Sequence, residues 1–148
     1  MTHVHRPRSR DFLAAAASAL LSVSTACSSL RGNTTIMEMR PGTVCAGSTT
    51  ETEGSISRTH FWTVALTKSD AVFTFDDRRV VLEGVVGKEP LECRGNQQTG
   101  KAPDVVLELG GGRSARWKGY TIEVGDKLYD IAGPGTFTID AAGTMKRQ

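Results

Sequence analysis

Tyr120-Thr121-Ile122-Glu123-Val124-Gly125-Asp126-Lys127-Leu128-Tyr129-Asp130-Ile131 is the stretch that decides the fold class. Two segments rich in β-branched and aromatic residues flank a two-residue Gly-Asp loop. Glycine at the first loop position suits a type II′ turn, whose twist matches that of the strands it joins. The unit reads as a β-hairpin.

The same grammar extends in both directions. On the C-terminal side, Ala132-Gly133-Pro134-Gly135 breaks the pattern. Thr136-Phe137-Thr138-Ile139 resumes it, and Asp140-Ala141-Ala142-Gly143 reads as a hairpin loop before a last edge strand over 144–147. Lys146 and Arg147 there discourage edge-to-edge pairing. On the N-terminal side, Asp104–Leu109 leads into Gly110-Gly111-Gly112, a turn because glycine reaches positive φ without steric cost. Residues 94–103 read as a polar loop. Further back lie Phe61–Thr67, Ala71–Phe75 and Val80–Val86, with Lys68-Ser69-Asp70 and Asp76-Asp77-Arg78-Arg79 as polar turns and Gly84 at a bulge or close approach. Helical periodicity is confined to the extreme N-terminus. Eight to ten short strands at this spacing predict an all-β domain over residues 42–148, a small antiparallel β-barrel or β-sandwich.

The first 26 residues read as a removable export signal. His5, Arg6, Arg8 and Arg10 supply a positive start, and Phe12–Leu21 (FLAAAASALL) an apolar run too short to cross a bilayer. The small residues Ser24-Thr25-Ala26 then precede Cys27. Cleavage after Ala26 would release a soluble secreted protein. The segment Val23-Ser24-Thr25-Ala26-Cys27 also resembles the lipobox of bacterial lipoproteins. Ser24 departs from it, because a large aliphatic residue is usual three places before the cysteine. The resemblance implies acylation at Cys27 and attachment to a membrane through that lipid, with residues 27–41 as a polar tether, and Ser28 fits an outer-membrane destination. Arg8-Ser9-Arg10 lies near a twin-arginine signal, but the arginines are not adjacent. The protein is therefore expected to be exported, either periplasmic or tethered to the outer membrane.

Charge follows the signal. Three of the 18 Lys and Arg and one of the 16 Asp and Glu precede Cys27, leaving fifteen of each sign in the remainder. A neutral chain lacks the basic surplus that phosphate backbones require, so nucleic acid is not an expected partner. Two cysteines remain after Cys27, Cys45 and Cys93, and an oxidising compartment favours their pairing. Closing a loop of this length is worth roughly 4 kcal/mol in the chain-entropy model.

Motifs for chemistry are sparse. His60 is the only histidine after the signal, and it reads as a strand residue beside Phe61-Trp62. A triad requires further groups held by the fold, and Ser55 and Ser57 are the nearest serines. The Asp76-Asp77 pair reads as a solvated hairpin tip. There is no zinc pattern, calcium loop, G-x-S-x-G elbow or phosphate loop, so no catalytic residue, metal or cofactor is assigned. The candidate ligand surface is Arg113, Arg116, Trp117, Lys118 and Tyr120, where cations adjoin aromatic rings suited to an anionic partner. Strand alternation offers the competing reading, with Ala115 and Trp117 in the core.

A lipoprotein signal followed by a small disulfide-closed β domain is similar in layout to periplasmic lysozyme inhibitors with β-barrel folds, although their inhibitory loop motif has no counterpart here. Fold alone does not carry function. The expectation is a non-enzymatic envelope protein that binds a protein or cell-wall glycan. An inhibitor of a secreted hydrolase and a small periplasmic hydrolase are the alternatives.

Overall fold

The computed structural model describes residues 28–31, 34–96 and 103–148. The expected export signal, Cys27 and the middle of the 94–103 segment lie outside them. Thirteen strands form two sheets among the described residues. The first sheet contains β1 (Ser28–Arg31), β2 (Thr34–Met39), β7 (Leu91–Asn96), β8 (Asp104–Gly110), β9 (Arg113–Lys118), β10 (Thr121–Val124) and β11 (Lys127–Asp130), hydrogen-bonded in that order. The second runs β13 (Met145–Arg147), β12 (Gly135–Ile139), β6 (Arg78–Leu82), β5 (Ala71–Phe75), β4 (Ile56–Leu66) and β3 (Val44–Glu53). No ladder among the described residues joins the two into a closed barrel.

The expected all-β class holds, and the β10–β11 hairpin is built as the sequence implied. Val124 pairs with Lys127 across Gly125-Asp126, and only the glycine has positive φ, 63°. Four readings are corrected. The sheets are not wholly antiparallel, because β12 lies parallel to β6, with Gly135 opposite Arg78 and Ile139 opposite Leu82. The chain reaches β12 from the other layer, so no tight turn forces it to run antiparallel. Residues 34–39 are not tether but β2, where alternation buries Thr35, Met37 and Met39. Arg94–Asn96 belong to β7 rather than to a loop. The strand expected over 80–86 ends at Leu82, where Glu83 and Gly84 form a turn and Gly84 takes φ 69°.

The sheets share one core. Trp62, Val64 and Leu66 of β4 and Phe73 and Phe75 of β5 face the Cys93, Leu107 and Trp117 layer of the first sheet. Trp62 sets how closely the sheets approach. Its indole lies over Gly47 of β3 on its own sheet and Gly95 of β7 on the other, and a Cβ at either position would overlap the ring. The indole N–H donates to the Asn96 carbonyl at 3.0 Å, so the one polar atom of this buried ring is satisfied.

One step along the same two strands sit Cys45 and Cys93. Both are buried free thiols, in contact at 3.3 Å. The expected disulfide is met in proximity but not in bonding. The hydrogen bond to Cys45, together with burial, pushes the Cys93 thiol above the ordinary range.

Gly95→Ala and Gly47→Ala should each lower stability by about 1–3 kcal/mol, since overpacking forces a rotamer or backbone shift. Chemical denaturation read through tryptophan fluorescence measures this. A midpoint unchanged in both variants would show that Trp62 has room to move.

Candidate functional site: the β3–β4 arm and its histidine clamp

The stretch from Arg113 to Tyr120 does not assemble into one surface. Trp117 is 2% exposed, with its ring stacked on Phe73 at 6.3 Å and edge-on to Phe75 at 6.0 Å. Its indole N–H donates to the Gly119 carbonyl at 2.9 Å. It is a core residue, as strand alternation required. Arg116 and Lys118 share the outer face of β9, whereas Arg113 sits at the start of the strand, in a cleft with Lys127 and Tyr129. Asp104 holds Arg116 in a two-pronged pair at 2.9 and 2.7 Å. Tyr120 is 57% exposed, with the Arg78 guanidinium over its ring at 4.6 Å. Arg116 and Lys118 thus share one face with Arg113 apart from them, Trp117 is withdrawn into the core, and Tyr120 stays exposed beneath Arg78. Trp117→Ala should cost about 3–5 kcal/mol through lost burial and a cavity. A thermal melt near wild type would contradict that placement.

What stands out instead is the length mismatch in the second sheet. β3 and β4 pair over ten positions, from Val44↔Ala65 to Glu53↔Ile56. β5 covers β4 only from Trp62 to Leu66. The rest of the hairpin, residues 48–61, is a two-stranded arm beyond the end of β5. Gly54-Ser55 closes it as a two-residue loop, with Gly54 at φ 61°. Its outer face carries Thr50, Thr52, Ser57 and Thr59, whose hydroxyls pair across the strands at 3.3 and 3.2 Å. Ile56 near the tip is 59% exposed and Phe61 at the root is 65% exposed.

A two-stranded ribbon in water is marginal by itself. His60 reinforces this one. Its Nδ1 lies 2.7 Å from Asp76 Oδ2 and its Nε2 3.1 Å from Glu51 Oε2, with the imidazole side chain 14% exposed. The Phe75 ring lies at 5.4 Å from the imidazole. Glu51 belongs to β3 and Asp76 to the β5–β6 turn, so one imidazole ties three chain segments together. Asp76 Oδ1 also accepts from the Phe61 N–H at 3.1 Å, extending the β4 edge by one rung. Asp76 is the one non-glycine described residue at positive φ, 48°, a conformation that aspartate tolerates better than most.

Both imidazole nitrogens face carboxylates, so the doubly protonated ring is favoured. The hydrogen bond to Asp76 is the main cause that raises the His60 pKa above its usual value, and Glu51 adds to it against the opposing effect of burial. An imidazole with both nitrogens engaged is a cross-link, with no free lone pair to take a proton from a serine. No group of three or more His, Cys, Asp or Glu side chains among the described residues is arranged to hold a metal.

His60 lies on a strand, as expected, but its partners Glu51 and Asp76 have no local signature in the sequence, and Asp76 is a clamp residue rather than a solvated tip. The indirect signal is Gly54-Ser55, a two-residue hairpin loop between runs of alternating threonine, which sets Glu51 and His60 on one face. The chain matches no protein-family model, no curated protein and no solved structure.

Because folding raises the His60 pKa, the clamp contributes fully below the unfolded value near 6.5 and is lost as pH rises through the higher folded value. Wild-type protein should therefore lose melting temperature relative to His60→Gln between about pH 6 and pH 9. A constant difference across that window would mean that the imidazole carries no charge-dependent role.

Proposed function

We propose that this protein is an exported, non-enzymatic binding module, tethered to a membrane through an acylated Cys27, which engages an envelope protein or cell-wall glycan with the β3–β4 arm. The observation that carries the reading is the arm itself. It projects past the sheet, is pinned at its base by Trp62 and over its root half by His60 with Glu51 and Asp76, and presents Ile56 and Phe61 to solvent. Holding a recognition element rigid before binding lowers the ordering cost of the complex. Phe61 and the paired hydroxyls lie on one face of the ribbon and supply an apolar anchor with hydrogen-bonding groups beside it, while Ile56 supplies a second apolar anchor from the other face near the tip.

A second reading has a specific observation behind it. An inhibitor of a secreted hydrolase needs a stiff protrusion with an apolar residue able to enter a cleft, and Ile56 beside the Gly54-Ser55 turn fits that need. In an exported protein the Cys45 and Cys93 thiols, already in contact, would be bridged across the two sheets. Thiol alkylation before and after reduction then distinguishes bridged from free cysteines.

The test is a pull-down of the native protein from its own envelope, alongside the Ile56→Ser/Phe61→Ser variant. Wild type should retain a stoichiometric partner that the variant loses while keeping its melting temperature, and a hydrolase whose activity falls on binding would favour the inhibitor reading. Equal retention by both proteins would remove the arm as the binding element. Mass spectrometry of the mature N-terminus checks the tether, and an unmodified Cys27 would contradict it.

A further inference from the structure

The two sheets have four edge strands, and they are unequally protected. β13 has three residues, two of them Lys146 and Arg147; β11 and β1 have four each. Short, charged edges resist pairing with another chain. β3 has ten residues with no proline, lysine or arginine, and its only charges are Glu51 and Glu53.

The direction of its free hydrogen-bonding groups follows from the ladder. A two-residue loop makes Glu53↔Ile56 a hydrogen-bonded pair, and such pairs alternate along an antiparallel ribbon. Phe61 directs its N–H and C=O toward Asp76, while Leu66 bonds to Thr43 and Gly42, which fixes the same alternation independently. Odd-numbered residues of β3 therefore bond to β4. Ser48, Thr50 and Thr52 point their N–H and C=O groups outward, and among the described residues nothing pairs with them. The opposite half of β3, around Cys45, lies against β7, so the open run is the arm half.

We propose that this edge pairs with the same edge of a second copy of the chain, antiparallel about a two-fold axis at Thr50. Ser48 then faces Thr52 of the other copy, Thr50 faces Thr50, and six backbone hydrogen bonds form. Charge selects this register. Shifting the axis outward by one residue sets Glu51 against Glu51, and a further shift sets Glu51 against Glu53, both destabilising. Shifting it inward moves the junction toward the part of β3 that β7 abuts. At Thr50 the carboxylates meet uncharged residues, Glu51 opposite Thr49 and Glu53 opposite Gly47. The result would be one continuous sheet through two molecules, with the two arms side by side. It does not depend on which ligand the arm takes.

The experiment uses the full chain. Sedimentation equilibrium should give twice the chain mass for wild type and the single mass for Thr50→Pro, which removes an outward N–H and no bond to β4. Thr50→Lys, which sets two ammonium groups face to face while keeping the strand intact, should also give the single mass. Thr50→Cys should yield a reducible species of doubled mass, because Cα atoms of a hydrogen-bonded pair lie about 5.5 Å apart, within disulfide range. Thr74→Cys on the outer face of β5 should not. A monomeric wild type, a Thr50→Lys protein that keeps the doubled mass, or cross-linking no greater at Thr50 than at Thr74 would each overturn the proposal.

Discussion

Everything in this molecule is arranged around the seating of one indole. Trp62 is large and buried, and it reaches across the layer boundary because both backbones it meets are glycine, Gly47 below and Gly95 opposite. Without a Cβ at those positions the strands come close enough for the ring to fill the gap and for its N–H to find the Asn96 carbonyl. Cys45 and Cys93 lie one step along β3 and β7 for the same reason: strands brought together at one pair of inward positions are close at the next. Close packing of this kind leaves little tolerance, because interiors are as dense as molecular crystals.

Trp62 also marks where the body ends. β5 pairs with β4 from that residue onward, so beyond it the β3–β4 hairpin has only itself and the clamp. Glu51, His60 and Asp76 then extend the body's order into the arm by a charge-assisted contact, where a hydrophobic one would need a covering layer. The cost is sensitivity to pH, since the contact is strongest with the imidazole charged. The arm is thus polar along most of its length, exposes Ile56 near its tip and Phe61 at its root, and is anchored from below.

How much of this was legible follows from what each element depends on. The β10–β11 hairpin, the Gly110–Gly112 turn and the closing edge strand were readable because local turn chemistry and alternation determine them. β2 was missed because only Ile36, Met37 and Met39 interrupt a polar run, and its burial depends on pairing with β7 far along the chain. The parallel β12–β6 ladder depends on how the chain returns from the other layer, which no local pattern encodes. His60 and Asp76 are sixteen residues apart and become neighbours only through the register of β4 against β5. Arg113, Arg116, Trp117 and Lys118 look contiguous in sequence, but alternation along β9 separates them, and the competing reading that put Trp117 in the core is the one the packing bears out.

Hydrogen exchange of the arm amides measures the central claim most directly. The N–H groups of Thr49, Glu51, Arg58 and His60 bond within the ribbon, whereas those of Val64 and Leu66 belong to the body. At a pH where His60 is charged, the ribbon amides should be protected in wild type. In His60→Gln they should exchange far faster, with Val64 and Leu66 unchanged. Ribbon protection that survives the substitution, or ribbon and body amides that lose protection together, would contradict an arm held in place by its histidine.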